Sequence, residues 1–524
     1  MSMTRRQILA ASTLPLIPAF GHAATPDRLI ALDLRQSAGP LDRFFDHCVG
    51  ADYPGTTGRD DAQAQLKTTV DELGFRYLRF HAIFHDVLHT VKRDAAGALT
   101  FDFSGIARLY DALLAKGIRP LVELGFTPDA LATSKQTIFY WAGNTSHPQP
   151  EGWEQLMRAF IPFLQKRYGV EEVRRWYFEV WNEPNLDGFW EKADKPAYFN
   201  LYTRTARILK SIDPQLRVGG PATAGAAWVD EFLAHCKATD APVDFIATHS
   251  YGVDGGFLDE KGEEDRQLSP NPDSIIGDVK RVRAQIEASH RPGLPLFFTE
   301  WSTSYNPRDR VHDSYESPAW ILAKLKGSQG LAQSMSYWTY TDLFEEPGPP
   351  DSAFHGGFGL MTKDGIRKPA WFAYRYLHAL LGRDLPCNDA ATWASCDDAG
   401  NVSAVLWDQR TVAMGKQTNR PFFGQVRPAA AIAGNVRITL AGMRPGRYQL
   451  EIRNTGFDAN DAHTAWLRMG SPKELNPEQL RRLQAATADR PVITGNVEVK
   501  ADGTTGVIVR LREHDVISLS LRHA

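Results

Sequence analysis

Strand-like and helix-like segments alternate eight times between about residue 45 and residue 382 of this 524-residue chain. The strand-like runs are FDHCVG (45–50), FRYLRF (75–80), RPLVELG (119–125), WYFEVWN (176–182), RVGGP (217–221), FIATHS (245–250), LFFTEW (296–301) and SMSYWTY (334–340). An eightfold repeat of strand and helix is typical of a closed parallel (β/α)8 barrel, the TIM barrel. We therefore predict an α/β fold with this barrel over residues 45–385.

An open doubly wound sheet is the alternative architecture for alternating strands and helices. Such sheets rarely contain eight consecutive units, and they usually begin with a glycine-rich turn that binds phosphate. The nearest candidate for that turn, VGGPATAG (218–225), lacks the fingerprint spacing and follows the fifth strand. We interpret it as the end of a strand.

The clearest helical pattern is SGIARLYDALLAKG (104–117), in which apolar residues recur at helical spacing. We expect Ser104 to be its N-cap and Gly117 to terminate it. Other helices are expected to begin near Asp60, Trp153, Pro196, Ala227, Asp273 and Ser317, and a last one to run from Pro369 to Leu381. Each predicted helix follows a predicted strand, as the barrel requires.

The pattern changes after about Leu385, where short segments alternate apolar and polar residues between turns. These segments are VSAVLWD (402–408), NVRITLAGM (435–443), GRYQLEIRN (446–454) and TTGVIVRLREHDVISLSLR (504–522), interrupted by the helical NPEQLRRLQAAT (476–487). Such alternation predicts an accessory antiparallel β-sandwich over residues 386–524. The N-terminal segment, residues 25–44, contains RLIALDLR (28–35), which could add a strand to this sandwich.

The first residues resemble a signal peptide. Arg5 and Arg6 precede a short apolar stretch from Ile8 to Phe20, and small residues follow at positions 21, 23 and 24. This arrangement is typical of an export signal with a twin-arginine character and is too short to span a membrane stably. We predict a signal peptide over residues 1–24 and export to the periplasm or beyond; the alternative is a disordered start with chance arginines.

Charge and hydropathy argue against some classes of partner, and the cysteines allow one disulfide. The net charge is −3, which gives no electrostatic case for nucleic acid or an anionic membrane, and we expect neither partner. No stretch after the signal is apolar for long enough to be a transmembrane helix. Cys387 and Cys396 are near enough in sequence for a loop disulfide, although two separate buried thiols are at least as good an interpretation.

Two glutamates stand at the ends of predicted barrel strands. Glu183 follows the fourth strand in FEVWNEPNL (178–186), and Glu300 ends the seventh in FFTEWS (297–302). The carboxyl ends of barrel strands carry the active site, and the fourth and seventh strands face one another across the mouth. Paired carboxyl groups of this kind hydrolyse glycosides. Each glutamate alone could instead be an ion-paired loop residue.

WNEPN (181–185) followed by FTEWS (298–302) resembles the retaining (β/α)8 glycosidases of clan A. Further stretches narrow the resemblance: RFHAIFHD (79–86), VELGFTP (122–128), ATHSYG (247–252), SYWTYTDLFEE (336–346), FHGGFGL (354–360) and WLRMGSP (466–472). Together they are closely similar to glycoside hydrolase family 39, whose main members are β-xylosidases and α-L-iduronidases. The resemblance runs from the first barrel strand into the C-terminal sandwich.

That resemblance implies roles for individual residues. Glu183 would be the general acid/base, and Glu300 the nucleophile that forms a covalent glycosyl–enzyme intermediate. Asn182 would donate a hydrogen bond to the sugar 2-hydroxyl, a contact that strengthens in the transition state. We expect the carboxyl groups of a retaining enzyme to lie about 5 Å apart, whereas inversion needs roughly 6.5–9.5 Å.

The remaining implied contacts surround the sugar at the reacting site. His249 and Tyr251 would steady the substrate and the nucleophile, and Trp338, on the eighth strand, would form an apolar floor. The wall and the hydroxyl contacts would come from Phe126, His81 and Glu345, with Glu346 a less clear candidate than Glu345. His249, Tyr251 and Trp338 could each also be ordinary core residues.

No metal or cofactor is expected. His81, His85 and His89 share helical i, i+4 spacing, but no flanking glutamate completes an HExxH zinc motif. Retaining glycoside hydrolysis needs only the carboxyl pair. The implied partner is a small oligosaccharide.

The choice of sugar rests on charge. An iduronidase must hold a substrate carboxylate, whereas the segment after THSYG, VDGGFLDEKGEEDRQL (253–268), is predominantly acidic. If that segment approaches the cleft, it would repel a uronate and favour a neutral sugar. We predict an exo-acting β-xylosidase that cleaves xylose from non-reducing ends. The alternatives are another glycosidase of the family type, such as an iduronidase or an endo-acting enzyme, or a non-catalytic carbohydrate-binding protein.

Overall fold

The structure is a computed structural model and describes residues 28–259 and 261–524. The predicted signal peptide, residues 1–24, lies outside the described residues. Among the helices that are described, none has the length and apolarity needed to cross a membrane.

Eight parallel strands close into a barrel, which confirms the predicted fold class. The barrel strands are Cys48–Ala51, Tyr77–Phe80, Arg119–Leu124, Tyr177–Val180, Arg217–Thr223, Phe245–Tyr251, Leu296–Ser302 and Ser334–Tyr337. The first strand pairs with both the second and the eighth, so the sheet has no free edge. Each observed strand overlaps its predicted run. The eighth ends at Tyr337, so Trp338 lies just past the strand rather than within it.

A helix follows each barrel strand. These helices are Asp60–Leu73, Ser104–Leu114, Pro150–Tyr168, Lys195–Ile212, Val229–Thr239, Ile276–Ala288, Ser317–Ser328 and Pro369–His378. One predicted cap was wrong: Ser104 is the first helical residue rather than the N-cap. The N-cap is Phe103, whose side chain makes no capping hydrogen bond, and the Ser104 N–H donates to Asp102 Oδ1 at 2.9 Å.

The barrel interior has two layers of different chemistry. Near the amino ends of the strands, the layer is largely apolar and is formed by Tyr77, Leu121, Tyr177 and Phe297 with their neighbours. Side chains two positions apart on a strand share a face. The next layer toward the mouth is therefore formed by Arg79, Glu123, Glu179 and Thr299, all at most 1% exposed. Polar chemistry begins inside the barrel, below the loops.

The C-terminal part contains two further sheets around a mainly aliphatic core. The larger sheet is antiparallel, with strands in the order Arg383–Asp384, Thr392–Cys396, Val402–Trp407, Val516–His523, Gly446–Thr455 and Ile493–Val499. In the smaller sheet, Arg28–Asp33 pairs in parallel with Ile432–Ala441, which pairs antiparallel with Thr505–Arg512. The N-terminal strand therefore shares a sheet with strands from the far end of the chain.

Smaller elements decorate both parts. Three hairpins project from the barrel: Val91–Arg93 with Leu99–Phe101, Thr137–Ile138 with Gly143–Asn144, and Val253–Leu258 with Glu264–Leu268. The short helices are Pro54–Thr57, Val170–Val173, Asn419–Phe423, Ala462–Arg468 and Pro477–Ala486. All four cysteines are free, so Cys387 and Cys396 form no loop disulfide.

Candidate active site

Glu183 and Glu300 meet at the mouth of the barrel, as the strand order predicts. A carboxylate oxygen of each glutamate and a ring nitrogen of His249 all lie within 4.8 Å of one another. Both glutamates are largely buried, with 7% and 4% of their surface exposed. The two acids therefore share one small site, although they are 117 positions apart in the chain.

A tight turn directs Glu183 into this site. The backbone φ angle is +71° at Trp181 and +43° at Glu183, a left-handed region that is uncommon for residues other than glycine. The Glu183 N–H donates to the Ala222 carbonyl at 2.8 Å, and the Trp181 indole donates to the Phe189 carbonyl at 2.7 Å. These hydrogen bonds hold a backbone conformation that costs of the order of 1 kcal/mol per residue, a cost often found at functional sites.

The surroundings of Glu183 favour its protonated form. Burial raises the pKa of Glu183 to about 7, although the cations of His81 and Arg79 act in the opposite direction. Its Oε1 lies 2.9 Å from His249 Nδ1. Burial lowers the pKa of His249 to about 3, so this imidazole is neutral at physiological pH. A carboxyl group with a pKa near neutrality is suited to general acid catalysis.

Glu300 has a different environment, because donors hold both of its oxygens. Arg79 Nη1 donates to Oε1 at 2.7 Å, and the Tyr251 hydroxyl donates to Oε2 at 2.6 Å. Charge-assisted hydrogen bonds of this kind fix the position of a carboxylate and stabilise its negative charge. The two glutamates thus differ chemically: one faces a neutral ring and the other a guanidinium and a phenol.

Arg79, which the sequence analysis missed, connects several site residues. Besides Glu300, its guanidinium donates to Glu179 Oε2 at 2.5 Å and to Asn182 Oδ1 at 2.8 Å, and it lies 3.0 Å from Glu123 Oε2. The signal was present in the sequence, because Arg79, Glu123 and Glu179 each stand directly between two apolar residues of a strand-like run. A charge in a buried barrel strand must face a partner.

Asn182 is buried and oriented by Arg79. Since arginine can only donate hydrogen bonds, the contact to Arg79 identifies Oδ1 as the acceptor and leaves the amide NH2 pointing elsewhere. Among the described residues, that Nδ2 atom has no hydrogen-bond partner. A buried donor without a partner costs free energy, so this amide still has a hydrogen bond to donate.

His81 joins two more carboxyl groups to the site. Its Nδ1 lies 2.7 Å from Glu123 Oε2, and its Nε2 lies 3.3 Å from Glu346 Oε1. Burial opposes a charge on His81, but these carboxyl groups outweigh it and raise its pKa well above the ordinary value. Burial raises the pKa of Glu346 to about 8. His81 and Glu346 together present a proton-rich polar surface beside Glu300.

The structure does not bring the side chain of Glu345 into this cluster. Its Oε1 accepts a hydrogen bond from Arg59 at 2.9 Å, and its backbone N–H donates to Asp52 Oδ2 at 2.8 Å. Glu346, the less clear candidate in the sequence, is the glutamate of this pair that contacts His81. The loop conformation therefore reverses the preference that the sequence analysis gave to Glu345.

Asp52 is a second residue that sequence reasoning missed. It follows the first barrel strand and accepts hydrogen bonds from the Thr56 hydroxyl at 2.7 Å and the Trp141 indole at 3.2 Å, besides the Glu345 N–H. Burial raises the pKa of Asp52 to about 7. It ties together loops that follow three different barrel strands.

Aromatic side chains enclose the site. The Trp338 ring centroid lies 4.7 Å from that of His81, and the ring occupies space left free by Gly50, where a Cβ would approach it to 2.2 Å. Phe126 is buried between His81 and Trp141, with centroids 6.1 Å from each. Trp338 and Phe126 therefore both lie beside His81 at the acid cluster, and their predicted roles as floor and wall of a sugar pocket stay predictions.

The three histidines of the i, i+4 pattern do not converge on a metal site. His81 pairs with carboxyl groups, the His85 Nε2 atom lies 2.9 Å from the Trp141 carbonyl, and His89 is exposed. Ligand-type groups do converge at Glu183, His249 and Glu300, but these residues are the acid pair and its neighbour.

The amino-acid sequence matches the family described as "Glycosyl hydrolases family 39" over residues 28–506. A relative named "Beta-xylosidase" from Caldicellulosiruptor saccharolyticus is 36% identical over 87% of this chain and 91% of its own length. A protein of the same name from Geobacillus stearothermophilus is 40% identical over 69% of this chain and 73% of its own.

A solved structure is also similar. It is described as a monomeric β-xylosidase from Caulobacter crescentus CB15, is 60% identical and covers 95% of this chain and 99% of its own, with a TM-score of 0.93.

Proposed function

The chain belongs to glycoside hydrolase family 39 and is a glycoside hydrolase, and on that basis we propose that it is a retaining, exo-acting β-xylosidase. It would release xylose from the non-reducing ends of xylo-oligosaccharides. The observation that carries the retaining mechanism is that a carboxylate oxygen of Glu183 lies within 4.8 Å of a carboxylate oxygen of Glu300. Retaining enzymes hold their carboxyl groups about 5–5.5 Å apart, whereas inverting enzymes leave roughly 6.5–9.5 Å for a water molecule.

In the first step, Glu183 donates its proton to the glycosidic oxygen while the bond from that oxygen to C1 breaks. An oxygen of Glu300 forms a bond to C1 from the opposite face. The aglycone leaves as an alcohol that carries the Glu183 proton, and Glu300 is left as a glycosyl ester. The environment of Glu183, with its pKa of about 7, suits this donation.

In the second step, Glu183 is a carboxylate and accepts a proton from water. The water oxygen bonds to C1 as the C1–O bond to Glu300 breaks, so xylose leaves and both glutamates return to their first state. Two inversions at C1 give net retention. Arg79 and Tyr251 stabilise the Glu300 carboxylate as it leaves, through hydrogen bonds of 2.7 and 2.6 Å.

Neighbouring residues position the sugar. The unpartnered amide of Asn182 would donate to the 2-hydroxyl beside C1, and Trp338 and Phe126 would cover the apolar faces of the sugar. His81 and Glu346 would contact the hydroxyls on the far side. The paired position of Glu345 with Arg59 leaves it a more distant role, as part of the support for this loop.

A contact between two loops at the barrel mouth supports action on a terminal sugar. The Tyr140 N–H donates to the Glu346 carbonyl at 2.8 Å, which joins the loops after the third and eighth strands beside His81. A bridge across one side of the mouth would favour a pocket over an open groove. A pocket accepts a chain end, whereas a groove is needed for cleavage within a chain.

Charge supports a neutral sugar over a uronate. The two cations described in the acid cluster, Arg79 and His81, are both held by carboxyl groups of the protein. The acidic segment after Tyr251 supports this less than its sequence suggested, because Asp259 and Glu263 pair with Arg420 from the C-terminal part. The argument therefore rests on the carboxyl groups of the site itself.

Export is a further part of the proposal. The twin-arginine pattern at Arg5 and Arg6 would direct the chain out of the cytoplasm, where xylo-oligosaccharides from plant material are met. Fractionation of the source cells, with activity measured in each fraction, tests this. Activity confined to the cytoplasm contradicts it.

A panel of aryl glycosides tests the substrate. The wild type should hydrolyse an aryl β-D-xyloside faster than an aryl β-D-glucoside or an aryl α-L-iduronide, and Glu300→Ala should abolish the reaction. Faster hydrolysis of the iduronide contradicts the choice of sugar. Binding of xylo-oligosaccharides without hydrolysis of any substrate supports the non-catalytic alternative.

A further inference from the structure

We propose that Thr299 and Glu179 fix the tautomer of His249, so that its Nδ1 lone pair faces Glu183 and keeps the catalytic proton on that glutamate. Thr299 and Glu179 are positioning residues, because they act on Glu183 only through His249. The role of Glu183 as the acid rests on the proposed function, whereas the tautomer of His249 does not.

The proton arrangement is fixed from one end of a buried chain of hydrogen bonds. That chain runs from Arg79 through Glu179, Thr299 and His249 to Glu183. Arginine has only donors, so the 2.5 Å contact between Arg79 Nε and Glu179 Oε2 makes the glutamate the acceptor. Burial raises the pKa of Glu179, whereas the Arg79 guanidinium and the Thr299 hydroxyl act in the opposite direction. Paired with the guanidinium, the Glu179 carboxylate accepts on its second oxygen too.

Thr299 comes next and has a single hydroxyl proton. Its Oγ1 lies 2.6 Å from Glu179 Oε1 and 3.2 Å from His249 Nε2. The shorter contact, to a carboxylate, takes the proton. Toward His249 the hydroxyl can then only accept, so Nε2 must carry a hydrogen.

His249 transmits this arrangement to the acid. It is fully buried, and burial lowers its pKa to about 3, so the ring carries one proton. With that proton on Nε2, Nδ1 is a lone pair. The 2.9 Å contact between Nδ1 and Glu183 Oε1 is then a hydrogen bond only if Glu183 donates. Glu183 is therefore protonated before the reaction begins.

Loss of that proton is opposed by the same chain. An ionised Glu183 would place a carboxylate oxygen against the Nδ1 lone pair, which is repulsive. His249 could relieve this by moving its proton to Nδ1, but Nε2 would then face a Thr299 oxygen whose proton is held by Glu179. This series of hydrogen bonds therefore helps Glu183 to keep its proton before the first step and to accept a proton from water in the second step.

Other groups act on Glu183 from the strands around it, and the test must separate them from this chain. The charged and titratable neighbours are Arg79, His81, Glu123, Tyr251 and Glu300. Thr299 is uncharged, so replacing its hydroxyl changes none of these charges. Its removal isolates the tautomer from direct electrostatics.

The tautomer is measured directly by nitrogen NMR on the full chain labelled with 15N-histidine, at pH 6 and without substrate. The His249 signals are identified by their loss in His249→Gln. We expect a protonated Nε2 and an unprotonated Nδ1. Protonation on Nδ1 overturns the proposal, whether or not the protein hydrolyses any glycoside.

The kinetic test compares Thr299→Val, which is nearly isosteric but lacks the hydroxyl, with Thr299→Ser, which keeps it. Loss of one hydrogen bond corresponds to a pKa change of about one unit. The alkaline pKa of kcat/KM on an aryl β-xyloside should therefore fall by about one unit in the valine variant and stay at the wild-type value in the serine variant.

Leaving-group dependence gives a second reading. At pH 7 the valine variant should lose roughly fivefold in kcat/KM on xylobiose, and less than about twofold on 2,4-dinitrophenyl β-xyloside, whose leaving group needs no proton. An unchanged or raised alkaline pKa, or equal losses on both substrates, contradicts the proposal. Inactivity of the wild type on every glycoside would instead contradict the proposed function, and the NMR result would still decide the tautomer.

Discussion

The barrel and the C-terminal sheets have chemically different interiors. Inside the barrel, Arg79 is buried and forms ion pairs with the buried carboxylates of Glu123 and Glu179. The core between the C-terminal sheets is mainly aliphatic, with residues such as Leu519 and Ile438. Buried ion pairs contribute little net stability because desolvation offsets their attraction, whereas apolar burial stabilises directly.

The residues that serve the chemistry and the residues that stabilise the fold thus lie in different parts of this chain. The charged layer of the barrel orients Glu300 and Asn182 through Arg79, at a cost in desolvation. The C-terminal core consists of apolar residues of the described chain other than the site residues, and its burial stabilises the fold. Substitutions in the charged layer should therefore lower activity more than stability. Substitutions in the C-terminal core should lower stability more than activity.

The largest loss of activity is expected from Glu300→Ala, which removes the attacking oxygen. We expect kcat to fall by more than about 10⁴-fold, which is the size of loss usually caused by removing a covalent nucleophile. The midpoint of thermal unfolding should move by less than about 3 °C. Glu171→Ala is the matched control, since the Glu171 side chain is 85% exposed and far from the mouth. A loss of folding in Glu300→Ala would break the separation.

Glu183→Gln should show a loss that depends on the leaving group. Without a proton donor, kcat/KM on xylobiose should fall by about 10²–10⁴-fold, the range for general acid catalysis. Release of 2,4-dinitrophenol in the first turnover should be nearly unaffected, as stopped-flow measurement of the burst can show. Equal losses on both substrates would assign Glu183 a structural role.

Asn182→Ala should have a smaller effect, roughly 10–100-fold in kcat/KM, because it removes one hydrogen bond that strengthens in the transition state. The matched substrate is an aryl 2-deoxy-β-xyloside, which lacks the partner hydroxyl. The substitution should cost little on that substrate. A similar cost on both substrates would show that Asn182 acts on Arg79 instead.

The pH profile should show the state of Glu183 directly. A general acid works only when protonated, and the pKa of Glu183 is about 7. Activity should therefore be retained below pH 7 and should fall, by about tenfold per pH unit, as pH rises beyond it. The alkaline limb of kcat/KM, measured with the wild type, gives this value. An alkaline limb that persists unshifted in Glu183→Gln would assign it to another group.

Leu519→Ala should leave catalysis unchanged and lower stability. Leu519 is fully buried on the strand Val516–His523, between two neighbouring strands of the larger sheet. Truncation of a buried leucine costs about 2–5 kcal/mol in the free energy of unfolding. The control Ser520→Ala changes the next residue, on the opposite face of the sheet. A drop in kcat/KM of more than about twofold at 25 °C would show that the two regions are coupled.

Much of the fold could be predicted because the local spacing of apolar residues indicates each strand and helix. The alternation of strands and helices predicts the barrel, and strand ends predict where Glu183 and Glu300 emerge. Strand bounds differ from the predicted ones by up to three residues, as at the eighth strand, which stops at Tyr337. The twist and pairing that end a strand depend on neighbours that are distant in sequence.

The site beyond the acid pair was harder to predict for physical reasons. The choice between Glu345 and Glu346 is made by Arg59 and Asp52, which lie almost 300 positions away in the chain. No periodicity encodes such contacts. Arg79 could have been found, because a charge between apolar neighbours in a barrel strand needs a buried partner, but its partners become clear only once the barrel closes.

The anomeric outcome of hydrolysis tests the division of labour between Glu183 and Glu300 most directly. Proton NMR of an aryl β-xyloside digest, recorded in the first minutes before mutarotation, separates the two forms of xylose. A double displacement predicts that β-xylose appears first and the α form only later. Early α-xylose would show a single inversion, and the assignment of Glu300 as nucleophile would be wrong.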